Sequence, residues 1–274
     1  MSVWRAFVLL VGSGLVWSSW AGAAVYEVGP GKTYTALADV PWSDLLPGDI
    51  VRIYPKQDNQ PYYEKLILEI NGSQDSPITI QGVLGPNGER PILDADHATS
   101  AGYYSTGTNA ERGLIIVGRN TIGTGDNIVI ENLELRNAYK GKTWYKPNGK
   151  KARYAENAAG VFVQNGANCV IRNCYIHDNS NGVFASNAVN GPVNLLIEYS
   201  HVENNGVVNN IHVHNFYISA EPQTIQFNHI GPMLPGSQGQ QYKDRGSGTV
   251  FRYNWLEGGP NGQLDLVDGV AGGG

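Results

Sequence analysis

The sequence predicts an all-β chain wound into a solenoid of short strands, and three observations predict it. Five hexapeptides share one pattern: IENLEL (130–135), IRNCYI (171–176), IEYSHV (197–202), IQFNHI (225–230) and FRYNWL (251–256). Each runs apolar, polar, Asn or aromatic, small or turn-forming, variable, apolar. Their starts are 41, 26, 28 and 26 residues apart, and a period in the twenties carried by β-type segments is the mark of stacked coils. Second, the chain holds 35 Gly and 26 Asn in 274 residues, the residue types that tight turns with positive φ require. Third, 41% of residues are hydrophobic and 16% charged, which excludes disorder. One coil cannot bury its own apolar face, so the coils stack, and the long regular flank that results suits a polymer better than a small metabolite.

Residues 1–24 read as a secretory leader. Arg5 supplies the charged start, 6–17 an apolar stretch too short to span a bilayer, and Ala21-Gly22-Ala23 a small-residue cleavage site. The mature chain is expected to be secreted or periplasmic, with no transmembrane segment. From residue 25 a single domain is expected. Residues 35–46 carry apolar residues at near-helical spacing (Leu37, Val40, Leu45, Leu46), although Pro41 interrupts them. They predict a short helical cap over the open end of the solenoid. Strands are expected at 50–54, 66–70, 78–81, 92–94 and 114–117, then in each hexapeptide. A further strand follows each coil, at 161–164, 183–186, 211–214, 241–244 and 264–267. Cys169 and Cys174 lie in one strand segment, where five extended residues span roughly 16 Å, beyond disulfide reach; buried free thiols are expected unless a turn separates them. The chain stops after a strand with no cap. Either it is a fragment lacking further coils or something else covers that end, and a site near Asp265 is then incomplete.

Alternation along the later strands places the candidate chemistry. With Ile211 and Val213 inside, His212 and His214 face out; Gln241, Lys243 and Arg245 share one face; Leu264 and Leu266 point in and Asp265 out. His212, His214, Lys243, Arg245 and Asp265 can thus form one outward patch across three coils. Two histidines at i, i+2 have metal-ligand spacing, with Asp265 or His177 as a third ligand. They equally suit acid–base work or carboxylate binding. Asp244 and Asp265 are a candidate glycosidase pair, and Asp268 reads as a turn residue before Gly269. Asn132, Asn173, Asn228 and Asn254 fall at the bend of the repeat and are expected to stack amides between coils. Two insertions break the period: 97–113, with Tyr103 and Tyr104, and 136–153, which explains the 41-residue gap. The second holds seven basic residues and no acid. Its Lys142, Trp144 and Tyr145, with Tyr154 beyond it, suggest a sugar-stacking, anion-guiding arm beside the patch. The formal net charge of −5 excludes a generic basic surface for nucleic acid.

The stretches GPGKTYTALADVPW, PGDIVRIYP and PITIQGVLGPNGERPILD, with QQYKDRGSGTVFRYNWLEGG and LDLVDG later, resemble secreted bacterial right-handed parallel β-helix proteins. Within that architecture the chain is similar to polysaccharide lyases of the chondroitinase B and alginate lyase type. The resemblance implies a right-handed β-helix acting on an acidic, uronate-containing polysaccharide by β-elimination, with Lys243 matching the family's base. It also implies calcium, held by acids a few residues before that lysine. The matching residues 236–242 read GSQGQQY and contain no acid, so no cofactor is assigned. The coil where the family has its arginine reads QLDLVDG, leaving Arg245 or His214 as neutraliser of the substrate carboxylate. A monomer is expected, with Gln241, Asp265 and the arm residues contacting substrate. The competing readings are a glycoside hydrolase using Asp244 and Asp265, and a non-catalytic glycan-binding module.

Overall fold

The computed structural model describes residues 22–101, 109–119, 124–185 and 191–267. The leader up to residue 21, Tyr103, Tyr104, Ser186 and Asp268 lie outside the described residues. Among the described residues three sheets of eight, ten and six strands make up the fold, and the chain visits them in turn. One coil runs from Ile128–Glu131 in the first sheet to Glu134–Arg136 in the third. It continues to Ala159–Val163 in the second and returns to the first at Val170–Arg172. Neighbouring coils pair parallel and in register. Ile130, Ile171, Ile197, Ile225 and Phe251 form one column, and Leu135, Ile176, Val202, Ile230 and Leu256 form another. The chain is therefore a parallel β-solenoid.

Each hexapeptide is two strands joined at a corner. Its third residue takes positive φ: Asn132 60°, Asn173 47°, Tyr199 53°, Phe227 55° and Tyr253 56°. Asparagine enters this region readily and larger side chains at a cost. The three aromatics offset that cost by stacking on one another across coils, with centroids 5.1 and 5.0 Å apart. The four asparagines of the bend thus belong to two ladders. Asn173 donates to Asn132 at the corner (2.8 Å). Asn228 and Asn254 sit one residue later, and Asn228 donates inward to Asn254 (3.0 Å).

A third amide ladder closes the corner between the third and second sheets. Asn205 is wholly buried. Its Oδ1 accepts from the Asn179 backbone N–H (3.0 Å), and its Nδ2 donates to the carbonyls of Ile176 (3.1 Å) and Glu203 (2.8 Å) and to Asn215 Oδ1 (2.9 Å). Outside, the second residue of each hexapeptide joins a ladder of alternating chemistry along the first sheet. Gln81 donates to Glu131, Arg172 to Glu198, Gln226 to Glu198 and Arg252 to Gln226, all within 3.0 Å. Complementary polar neighbours at strand spacing favour this register over a slipped one. Cys169 and Cys174 are free and buried, and burial pushes both thiols up to about 12.

The cap differs from the expected helix. Pro41 and Pro47 limit residues 35–46 to two single 3₁₀ turns, Leu37–Asp39 and Trp42–Asp44. They nevertheless bury Leu37, Val40, Trp42 and Leu45 over the first coil. Leu46 is exposed. Among the described residues no helix is long and apolar enough to cross a membrane.

Lys65 is fully buried in Glu64–Leu68 of the second sheet. Its ammonium lies 4.1 Å from the Trp144 ring centroid and 4.8 Å from that of Tyr154, and it donates to the Ala110 carbonyl. Burial pushes its pKa down to about 7, against an opposing pull from Glu111. Between pH 7 and the ordinary lysine value the unfolded chain binds the extra proton, so stability rises with pH across that window and is flat below it. Chemical denaturation at pH 7 and pH 9 should therefore find a gain of up to about 2 kcal/mol that Lys65→Met abolishes. An equal gain in the variant would assign the dependence to other groups.

Candidate functional site

The site follows from loop lengths at one corner. Between the third and second sheets the connection is residues 178–180 in one coil, but 204–215 and 231–241 in the next two. The longer loops rise beside the outer face of the second sheet and form a cleft of about 390 Å³. Its lining includes His212, His214, Tyr217, Gln240, Lys243, Arg245 and Asp265. The five patch residues expected from the sequence line one cleft together, with changes in how they are held.

The strand expected at 211–214 is displaced to Phe216–Ile218. Alternation in VNNIHVHN suggested a strand, but these residues are the inserted loop. Ile211 is 52% exposed rather than inside, His212 is exposed beside it, and Val213 and His214 are buried. His214 still faces the cleft. Its Nδ1 accepts the Gln240 backbone N–H (2.9 Å), and its ring meets Tyr217 edge-on at 5.2 Å. Burial, then Lys243, pushes the imidazole down to about 3. His214 is therefore neutral with its proton on Nε2, a hydrogen-bond donor and not a cation. Gly239 permits this contact, since a Cβ there would lie 1.7 Å from the Val213 carbonyl oxygen.

Tyr217, Lys243 and Asp265 are in parallel register on the outer face. The Lys243 ammonium is ion-paired with Asp265, and the Arg245 guanidinium sits 6.0 Å from the Tyr217 ring centroid. Three lining residues present buried polar atoms without a partner: His214 Nε2, Arg245 Nε and Gln240 Oε1. Buried polar groups are almost always paired in folded proteins, and these two donors and one acceptor are groups that water or a polar ligand in the cleft can meet. Tyr217 and Gln240 escaped the sequence reading because one lies in the displaced strand and the other one residue outside the strand that carries Lys243.

Gln241 leaves the site. It is wholly buried, and its amide donates to the carbonyls of Ile230, Gly231 and Glu257, because the strand begins only at Tyr242. Asp244 points to the opposite face from Lys243, where it accepts from Gln223 (2.6 Å) and the Gly246 N–H (2.8 Å). Asp244 and Asp265 therefore cannot flank one glycosidic bond. His177 lies on the third sheet between Asp178 (2.7 Å) and Glu134 (3.3 Å). Burial opposes its charge, but these two carboxylates outweigh it and raise it to about 9. Among the described residues no three His, Cys, Asp or Glu converge on a metal position. Residues 236–242 offer calcium no carboxylate and do not fit it.

The basic insertion departs from the same corner as the cleft. At its root Lys140 pairs with Glu156 (2.5 Å). Its tip does not overhang the cleft. It folds into an antiparallel hairpin, Thr143–Tyr145 with Lys151–Arg153, at the far edge of the second sheet. Trp144 is buried against Lys65 and closed to a sugar. Tyr145 is half-buried, its ring 6.3 Å from His97. Lys142 contacts Asn137 (2.7 Å) and Asp96 (3.5 Å). None of the three reaches the cleft lining.

No family model matches the chain, and no curated protein matches it. Among solved structures it is similar to a GH136 lacto-N-biosidase from Eubacterium ramulus. The two are 14% identical with a TM-score of 0.44, over 88% of this chain and 57% of that one. It is also similar to a pectin methylesterase from Aspergillus niger, 10% identical with a TM-score of 0.42, over 89% of this chain and 87% of that one. The chain spans little more than half the length of the lacto-N-biosidase. Likenesses this distant say nothing about activity, substrate or site residues.

Proposed function

We propose that the chain is an exported polysaccharide lyase that binds an anionic, uronate-containing glycan in the second-sheet cleft and cleaves it by β-elimination. The observation that carries this reading is the convergence of Lys243, Arg245, His214 and Gln240 on one cleft of about 390 Å³. Arg245 pairs with the uronate carboxylate and disperses the charge that builds as the adjacent proton leaves. The His214 Nε2–H and Gln240 Oε1 meet the sugar's acceptor and donor groups.

Lys243, as the free amine, takes the proton α to the carboxylate. That C–H electron pair becomes the new carbon–carbon double bond, and the bond from the β-carbon to the glycosidic oxygen breaks. The Tyr217 hydroxyl gives the leaving oxygen its proton. The Lys243 ammonium then returns a proton to the tyrosinate, which restores both groups. Asp265 holds the resting ammonium, so the cycle starts only once Lys243 has released that proton. His212, at the exposed rim, contacts the chain beyond the scissile bond.

The test is incubation of the protein with a panel of uronate polymers under ultraviolet detection. An unsaturated sugar end absorbs and a hydrolytic product does not. New reducing ends without absorbance would replace the lyase with a hydrolase. Binding with no product from any polymer would favour the non-catalytic glycan-binding module.

A further inference from the structure

In a chain of net charge −5, nearly every described cation is already engaged. Lys32, Arg136, Lys140, Lys142, Arg172 and Lys243 are in ion pairs. Others bond to neutral groups or lie over aromatic rings, as Arg90 does on Asn173 and Arg112 on Phe162. Lys146, Lys150 and Lys151 are the exception. All three are exposed, and although their backbones bond within the turn, none of their ammonium groups has a hydrogen-bond or ion-pair partner among the described residues. They crowd the tip of the hairpin Thr143–Tyr145 and Lys151–Arg153.

Lysines on an edge strand protect it from pairing with another chain. That accounts for Lys151 on the outermost strand. It does not account for Lys146 and Lys150, which lie in the turn between the two strands. The hairpin is part of the ten-stranded sheet that carries the cleft. Seven strand intervals separate Thr143–Tyr145 from Tyr242–Asp244, about 34 Å at ordinary spacing. A disaccharide held in the cleft cannot span that, but a polymer can.

We infer that Lys146, Lys150 and Lys151 form an anion-capturing exosite for a distal stretch of the same acidic polysaccharide that the cleft holds. This rests on the proposed glycan reading, but its test reads binding and not turnover. Binding of a long polyuronate and of its disaccharide would be measured by calorimetry on the full chain and on K146S/K150S/K151S. The triple variant should bind the polymer about tenfold more weakly at low salt and the disaccharide unchanged. The difference should vanish in 1 M salt, where screening acts within about 3 Å. Equal polymer binding by both proteins overturns the exosite. So does an equal loss for polymer and disaccharide, which would put the effect in the cleft. No polymer binding by the native chain, with capture of anionic lipid vesicles that the triple variant loses, overturns it in favour of a membrane surface. Failure of the lyase chemistry alone appears as absent ultraviolet product and leaves the binding difference intact.

Discussion

Lys243→Ala is expected to abolish turnover of an acidic glycan, by at least a thousandfold, while leaving the fold and the unfolding midpoint intact. The side chain stands on the outer face of the strand Tyr242–Asp244, and its one strong contact is the ion pair with Asp265. Removing an amine from an exterior face costs little stability. Removing a proton acceptor from an elimination removes the step itself. Asp265→Asn supplies the contrast. It releases the amine without taking a group that touches the substrate, so activity should stay within about tenfold of the native chain. Initial rates of ultraviolet product formation for both variants, with unfolding curves beside them, provide the check. A dead Asp265→Asn with an active Lys243→Ala would assign the chemistry to the carboxylate. Two active variants would leave the cleft as a binding site only.

Asn205→Leu should be the most damaging single change to stability. Leucine keeps asparagine's branched skeleton, so no cavity opens, but its methyls are bulkier than the amide's oxygen and nitrogen, and overpacking adds to the loss. What is lost is the set of partners of a wholly buried amide: the Asn179 backbone N–H and side-chain Nδ2, the Ile176 and Glu203 carbonyls and Asn215 Oδ1. A buried polar group left unsatisfied costs about 1–3 kcal/mol, and several groups lose a partner here. A loss of at least about 3 kcal/mol is expected, a large part of the 5–15 kcal/mol that holds a typical domain together. Gln226→Leu, on the half-exposed outer ladder, should cost under about 1 kcal/mol. Denaturation midpoints at unchanged slope measure both. Comparable losses would mean that the inner ladder contributes no more than the outer one.

The solenoid was legible from residue type and spacing. The isoleucine columns and the outward Lys243, Arg245 and Asp265 all follow from a period of two within strands and of 26 to 28 between coils. What escaped the pattern was where the period is broken. The hexapeptide read as one strand is two, because a positive φ at its third residue turns the chain between sheets. Residues 211–214 alternate as a strand does and are a loop, because an inserted segment carries no signal of where the coil resumes.

By itself the sequence determined that this chain stacks into β-coils, and that cations, histidines and a carboxylate recur on one flank in a chain otherwise poor in charge. Burial of apolar columns is dictated locally, strand by strand, so it can be read from one dimension. Only the tertiary structure decided which of those polar groups meet, and in what state. It turned Gln241 and Asp244 inward, covered Trp144 with Lys65, paired Lys243 with Asp265, and buried His214 as a neutral donor. Each outcome depends on neighbours from other coils or inserted loops, brought close by stacking and far apart in the chain.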